Sequence, residues 1–376
     1  MEIKKSSKLK IAIFSLISIV IIIAIAKYTT DYEFRNFINT KILNKQVTEN
    51  SLTAIELKSD DNPTSFAYDK YIGVFAKNKL SVYNDKGNIE NELSLTITTP
   101  LISTNGKYVT ISEKSGNKFY VINSTSLLWQ GNIDGKIEKI NINDDGYVSI
   151  IASNSTYKSI VIIYNSEGDE LFKTYLPSTY AMCTSISSNN EYIAIGEVDY
   201  TGTVFKSNIR IMSISQAKLV YNYSAPDNEI IIDIKYCDKE TATCMFSSSI
   251  INVTPSNGNK IYDLNDNISF ANINMENYYA LVERQSSGLF SYKYQLKFKS
   301  FNSNNENLYI LDNKLPKQTV ASGKIIALNY GSSVDIINQN GTLKKNYIST
   351  QQIKDIIVGE HIVGIVYKDK IEIINI

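Results

Sequence analysis

Histidine and cysteine are scarce in this chain of 376 residues. His361 is the single histidine, and the three cysteines are Cys183, Cys237 and Cys244. Zinc is usually held by Cys and His ligands, so the scarcity of these residues excludes a zinc site of the usual composition. Three cysteines are also too few for a disulfide framework. Cys237 and Cys244 flank the segment DKETAT, and they either face each other across a hairpin as a disulfide or remain two half-buried thiols.

Arginine is the next scarce residue, and neither sign of charge is in excess. The arginines are Arg35, Arg210 and Arg284, and 38 Lys and Arg residues balance 38 Asp and Glu residues. A nucleic-acid-binding protein usually carries a basic surface, so this balance argues against a nucleic-acid partner. Tyr, Ile, Val and Thr are abundant instead, and they favour β-strands. The composition is that of a β-rich globular domain.

Charge is missing from one long run, residues 11–26, which reads IAIFSLISIVIIIAIA. As a helix the run spans about 24 Å, slightly less than the ~30 Å of a hydrocarbon core, and Lys10 and Lys27 can extend outward at its ends. Lysines at positions 4, 5, 8 and 10 precede it, so the positive-inside rule places the N-terminus in the cytoplasm. We expect a single-pass signal anchor over residues 11–27, with residues 1–10 as a cytoplasmic tail.

A cleavable signal peptide is the alternative reading of the same run. The tripeptide Ala24-Ile25-Ala26 matches the small-x-small pattern of a cleavage site just before Lys27. Both readings export the rest of the chain.

Residues 28–50 show helical spacing of apolar residues. Phe34, Phe37, Ile38, Ile42 and Leu43 fall on one face of a helix. We expect a juxtamembrane stalk helix that packs against the following domain or lies along the bilayer surface.

From residue 51 onward the sequence repeats one phrase: a strand, a polar turn and a second strand. In the clearest copy, residues 160–175, Asn165 and Gly168 supply the positive φ that tight turns need. A second hairpin precedes each copy, so each period holds four strands, a to d. The turn position recurs, at intervals of 39, 42, 49, 40, 48, 36 and 37 residues, at Asn84, Asn123, Asn165, Ile214, Thr254, Asn302, Asn338 and Asn375.

A four-stranded period of roughly 40–45 residues is typical of a β-propeller blade. Eight copies predict an all-β, eight-bladed propeller over residues 51–376, with seven blades as the alternative. The last copy ends in strand c, at residues 370–376. The strand-like residues 51–57 precede the first blade, and we expect them to pair with residues 370–376 and close the ring.

Two blades carry extra residues between strands b and c, at 199–207 and 285–292. Insertions on one face of a repeat array commonly mark its binding face, although drift in surface loops gives the same pattern. The candidate binding residues in and beside these loops are Asp199, Tyr200, Phe205, Arg284, Phe290 and Tyr292.

No reactive constellation stands out, so we expect no catalytic residue, no metal and no cofactor. A Ser/His/Asp triad would need His361, which stands beside Glu360 at the opening of a strand. Residues 141–146, NINDDG, resemble a calcium loop that lacks its acidic twelfth position. Acidic pairs such as Glu197 and Asp199 could serve a glycosidase, but sequence fixes no distance between them.

Residues 145–172 and 191–214 resemble uncharacterised families of membrane-anchored propellers from low-GC Gram-positive bacteria. The basic start, the single apolar run and the stalk fit that layout. Residues 122–131, INSTSLLWQG, resemble a docking segment of quinoprotein-type propellers, but Trp129 is the only tryptophan, so the device is not repeated. The resemblance implies WD40- or quinoprotein-like blades and an anchored topology, and no reaction.

We therefore expect a single-pass protein of the cell membrane with its propeller on the extracytoplasmic side. The hypothesis for its function is non-catalytic binding or scaffolding of a protein or cell-envelope polymer. The alternative is a hydrolase or lyase of envelope glycan with carboxylates at the channel mouth. Such an enzyme requires carboxylates that converge in a concave pocket, whereas a scaffold requires a broad polar and aromatic surface.

Overall fold

A computed structural model describes residues 2–58, 61–286 and 292–376. Its first element is the helix α1 (Glu2–Thr30). The window Ile13–Thr30 has a mean hydropathy of 2.1, and none of it is buried against the rest of the chain. By length and composition α1 is long and apolar enough to cross a membrane, and a signal sequence has the same character.

The helical part of the segment after α1 is shorter than the sequence predicts. Helix α2 (Tyr32–Phe37) begins at the capping residue Asp31, whose carboxylate accepts a hydrogen bond from the Phe34 amide (3.1 Å). A turn of π-helix (Ile38–Ile42) follows, and then the strand β1 (Gln46–Thr48). The predicted stalk helix over residues 28–50 is therefore wrong after Ile42, because residues 46–48 gain hydrogen bonds as a strand on the propeller.

Eight sheets of mainly antiparallel strands form the ring. In blades 1 to 4 the strands a to d are, in chain order after β2 (Ala54–Glu56), β3 (Thr64–Tyr68), β4 (Tyr71–Ala76), β5 (Lys79–Tyr83), β6 (Ile89–Ser94); β7 (Pro100–Asn105), β8 (Tyr108–Glu113), β9 (Lys118–Asn123), β10 (Ser126–Asn132); β11 (Lys136–Ile142), β12 (Val148–Ser153), β13 (Ser159–Tyr164), β14 (Glu170–Leu176); β15 (Tyr180–Ile186), β16 (Tyr192–Asp199), β17 (Lys206–Ser213), β18 (Lys218–Ser224).

The remaining blades follow the same order. Blades 5 to 8 consist of β19 (Ile231–Tyr236), β20 (Ala242–Phe246), β21 (Ser249–Val253), β22 (Gly258–Asp263); β23 (Ile268–Asn272), β24 (Tyr278–Ser286), β25 (Tyr292–Ser300), β26 (Glu306–Asp312); β27 (Gln318–Ser322), β28 (Ile325–Asn329), β29 (Ser333–Asn338), β30 (Leu343–Ile348); and β31 (Asp355–Val358), β32 (Ile362–Val366), β33 (Lys370–Asn375). The chain is an eight-bladed β-propeller.

The core lies between neighbouring blades. Strand β13 is buried along its whole length, because alternate residues point to opposite faces of a blade and both faces are covered. Ile160 and Ile162 pack with Phe119 of blade 2, whereas Val161 packs with Ile193 of blade 4. Each such side chain contributes about 1.5–3 kcal/mol by leaving water.

Strands from the N-terminal segment complete the last two blades. Strand β2 pairs antiparallel with β33, with Ala54 opposite Glu372, and supplies the outer strand of blade 8. Strand β1 adds in parallel to β30 as a fifth strand of blade 7. The Glu49 carboxylate between β1 and β2 accepts hydrogen bonds from Ser349 (3.0 Å) and Thr350 (2.7 Å), and the Thr350 bond is the main cause that lowers its pKa to about 2. The ring is held shut by polar contacts as well as by the sheet.

Candidate functional site

The ring presents two opposite faces. We call one the b–c face, because it holds the b–c loops together with the d-to-a connections, and the other the a–b face, because it holds the a–b and c–d turns. In blade 4 the Asn228 amide of the d-to-a connection donates to the Phe205 carbonyl of the b–c loop (2.9 Å). This bond holds the two kinds of connection together on the b–c face.

A cluster of aromatic rings and one lysine lies on the b–c face at blades 3 and 4. Tyr180 and Tyr200 stack with their centroids 4.7 Å apart and their planes 15° apart. Lys158 holds its ammonium 5.0 Å from the Tyr180 centroid and 5.7 Å from the Tyr200 centroid. Tyr200 remains 49% exposed. We call Lys158, Tyr180 and Tyr200 the aromatic cluster; it offers flat rings and a cation to a partner.

The other predicted residues of blade 4 have different roles. The ring of Phe205 is 45% exposed and adds apolar surface to the b–c loop. The Asp199 carboxylate accepts hydrogen bonds from the Thr201 amide (2.9 Å) and hydroxyl (2.7 Å). These bonds lower the pKa of Asp199, the amide bond most. Asp199 therefore shapes its own loop.

In blade 6 the guanidinium of Arg284 lies 4.8 Å from the centroid of Tyr292. Tyr292 is 49% exposed, so this pair also faces solvent. Arg284 contacts Tyr292 and Tyr200 contacts Tyr180, and among the described residues no ring or cation–π contact joins the two pairs. Phe290 lies outside the described residues.

The a–b face holds a different site, which sequence reasoning missed. A cavity of 590 Å³ opens at this end of the channel, and all eight blades line it. We call its charged lining the acidic mouth: Asp69, Asp144, Asp233, Lys235, Glu276 and Glu360. Asp69, Glu276 and Glu360 lie at the a–b turns of their blades, in the sequences YDK, MEN and GEH. Asp144 lies at the same turn position in the sequence NDDG. This recurrence is the signal that could have predicted the site.

Removal from water shifts the pKa of several groups in the acidic mouth. Partial desolvation by the cavity walls raises the pKa of Asp144, Asp233 and Glu360, because it penalises the charged carboxylate, while Asp144 and Glu360 still face solvent in the open cavity. Desolvation also lowers the pKa of Lys235, whose ammonium donates to the Met275 carbonyl (2.9 Å). Asp233 accepts a hydrogen bond from Asn274 (3.2 Å). The mouth is thus an acidic cavity with a lysine at its wall.

One corner of the acidic mouth has ligand atoms close enough for a metal ion. Ligand atoms of Asp69, Glu360 and His361 lie within 4.8 Å of one another. The His361 Nε2 atom is 3.8 Å from the Asp69 Oδ1 atom, and the two residues are also joined through the backbone. Glu360 and His361 are exposed. Exposed acidic groups of this kind are common without an ion, so the corner alone does not define a metal centre.

The glycosidase pair suggested from the sequence does not form a site. Glu197 is only 1% exposed, and its carboxylate accepts hydrogen bonds from Thr179 (2.6 Å) and Arg210 (2.7 Å). Glu197 is therefore held inside blade 4, whereas Asp199 caps its loop. All three cysteines are free thiols, and Cys237 contacts the Thr243 hydroxyl (2.8 Å) instead of Cys244.

The chain is similar in structure to proteins that have been solved. The chain is similar to BamB from Moraxella catarrhalis, with a TM-score of 0.50 and 12% identity over 86% of this chain and 96% of that chain. It is also similar to the β-propeller domain of Cps50 (Swd1) from Myceliophteria thermophila, with a TM-score of 0.47 and 8% identity over 77% of this chain and 97% of that chain. At this identity the likeness to BamB shows the fold alone.

No curated protein matches the chain. A family model described as "Family of unknown function (DUF5711)" matches residues 42–376, from the end of the π-helix to the last residue of the ring. The chain therefore belongs to the DUF5711 family.

Proposed function

We propose that this chain is a membrane-anchored binding module that captures a protein or a cell-envelope polymer on its b–c face. The aromatic cluster carries this proposal. Exposed tyrosines with two stiff torsion angles lose little entropy on binding, and Tyr is enriched among the residues that dominate interfaces. Stacked rings beside a lysine suit both a protein surface and the apolar faces of sugar rings.

The predicted orientation completes the proposal. The helix α1 is the anchor, the basic residues before its apolar window remain in the cytoplasm, and the propeller stands outside the cell. A protease added to intact cells without a cell wall tests this sidedness. The propeller is digested from outside if the orientation is right, and it is protected until lysis if the orientation is reversed.

The binding test compares one variant with a matched control. The full-length protein and its Tyr200→Ala variant are purified in detergent and mixed with solubilised envelope proteins and with envelope polysaccharide. Tyr200→Ala should lose roughly tenfold or more in capture, as expected for a central aromatic anchor. The control is Ile89→Ala, which also truncates an exposed apolar residue (53% exposed) but on the outer strand of blade 1. Equal capture by both variants and the parent would overturn the proposal.

A second candidate function rests on the acidic mouth. Two carboxyls with raised pKa values in one cavity, Asp144 and Asp233, are the kind of group that a glycan hydrolase uses as its general acid. The test is release of new reducing ends from envelope polysaccharide by the full-length protein. Loss of that release in Asp144→Asn or Asp233→Asn, with binding retained, would favour this candidate over the binding module.

A further inference from the structure

The short segment between α1 and the ring has its polarity reversed. Among its described side chains the two buried ones are polar: Arg35 is 5% exposed and Asn39 is 1% exposed, while Phe34 and Ile38 are half-buried. Three large apolar side chains are exposed: Phe37 is 54%, Ile42 61% and Leu43 50% exposed. A surface helix of a soluble protein normally buries its apolar stripe and exposes its polar one. Reversed polarity therefore indicates that something apolar covers residues 37–43.

Polar side chains that are buried or half-buried fix this segment to blades 6 and 7. The Arg35 guanidinium donates to the Ile310 carbonyl (2.6 Å) and lies 4.8 Å from the centroid of the Tyr309 ring. The ammonium of Lys45 donates to the Leu343 carbonyl (2.6 Å) at the start of β30. Strand β1 then continues the attachment by pairing with β30. The segment is thus a fixed part of the propeller's outer wall.

The same segment is tied to the end of the apolar helix. The Tyr28 hydroxyl donates to the Asn39 side-chain oxygen (2.8 Å), and the Lys27 ammonium lies 5.8 Å from the centroid of the Phe34 ring. The apolar window ends at Thr30, and α2 begins at Tyr32. The segment therefore starts where a membrane-spanning α1 would leave the hydrocarbon core.

We propose that residues 31–43 lie in the interface of the same lipid bilayer that α1 crosses, with Phe37, Ile42 and Leu43 turned towards the acyl chains. The exposed Lys41 at the last turn is placed to meet lipid headgroups. The outer wall at blades 6 and 7 then rests on the membrane, and the propeller is not held on a free tether. This inference rests on the proposed anchoring by α1.

Depth-dependent quenching of a single tryptophan tests the placement. Trp129, the only tryptophan, is replaced by Phe, and Phe37→Trp or Ile42→Trp is added to the full-length chain. The matched control is Phe205→Trp, at an exposed aromatic on the b–c face. Each protein is reconstituted into vesicles of phosphatidylcholine and phosphatidylglycerol, with or without bromine near the top of the acyl chains. Flotation measures anchoring, and the melting temperature checks folding.

If residues 37–43 lie in the interface, the tryptophan at position 37 or 42 loses about half of its emission to brominated lipid, while the tryptophan at position 205 loses little. Equal, weak quenching at all three positions in protein that floats would overturn the interfacial placement and leave the anchor intact. A blue-shifted but unquenched tryptophan at position 37 would show that protein, such as a second copy of this chain, covers the face. Failure to float would overturn the anchor and this inference together.

Discussion

The two faces of the ring differ in chemistry although the same blades build both. The b–c face of blades 3 and 4 carries stacked tyrosines and a lysine, whereas the a–b face converges on carboxylates. The a–b turns bring Asp69, Asp144, Glu276 and Glu360 to one mouth, and Asp233 joins them from strand a of blade 5. Asp is a favoured turn residue and Glu is not, so turn chemistry accounts for part of this acidic lining. The b–c loops vary in length between blades, and they place aromatic residues without repetition. A shared fold therefore yields one face lined mainly by residues of its short turns and one face shaped by loop insertion.

The largest effect should come from the lysine of the acidic mouth. Lys235→Ala removes the donor to the Met275 carbonyl and the packing of the lysine stem, and it leaves that acceptor unpaired at the cavity wall, at a cost of about 2 kcal/mol in unfolding free energy at pH 7. Thermal unfolding followed by circular dichroism measures the loss. The control is Lys158→Ala on the b–c face. This lysine makes cation–π contacts in the aromatic cluster and a solvent-exposed hydrogen bond to the Ser178 carbonyl (3.1 Å), and its loss should change stability by less than about 1 kcal/mol. Equal losses of unfolding free energy in the two variants would contradict the expected difference between the two faces.

The second largest effect is the pH dependence of stability that Asp233 of the acidic mouth causes. The pKa of Asp233 is raised in the folded state, so the folded protein binds this proton more readily than the unfolded chain does. Asp233 therefore destabilises the folded protein increasingly as the pH rises above 3.8. Asp233→Asn should therefore increase stability at pH 7 by about 1 kcal/mol, and the gain should vanish near pH 4. Denaturation at several pH values tests the sign. A variant that is less stable at pH 7 would contradict it.

On the b–c face, Tyr180 should act through Tyr200. Tyr180→Ala removes the stacked neighbour and frees the b–c loop of blade 4, while Tyr200 keeps its own ring. Capture of the partner should fall by roughly threefold, less than for Tyr200→Ala, and amide exchange in residues 200–205 should become faster. Tyr180→Phe, which keeps the ring, should restore capture. Failure of that restoration would show that stacking is not the link.

The smallest effect is expected at Asp199. Its carboxylate bonds only Thr201 in the loop among the described contacts, so Asp199→Asn should leave partner capture within twofold of the parent. Because its folded pKa is lowered, the stability that Asp199 contributes is present above pH 3.8 and is lost as pH falls, opposite in sign to Asp233. A large loss of partner capture in this variant would show that Asp199 belongs to the binding surface.

Sequence reasoning succeeded where local rules suffice and failed where distant residues meet. Turn residues such as Asn165 and Gly168 predicted the strand order and the eight blades. The strand β1 was missed, because three residues with one apolar side chain, Val47, carry no pattern, and their partner β30 lies near the other end of the chain. Tyr180 was missed because nothing in its neighbourhood shows that it stacks on Tyr200.

By itself the sequence determined the repeat, its four-strand period and the apolar N-terminal run, because alternation, turn chemistry and hydropathy act between near neighbours. Only the tertiary structure decided which side chains share a site. Closing the ring places Asp69 of blade 1 against His361 of blade 8, gathers the carboxylates of several blades in one cavity, and turns the apolar face of residues 37–43 outward. These contacts join residues far apart in the chain, and their distances depend on how blades pack, which no local pattern encodes.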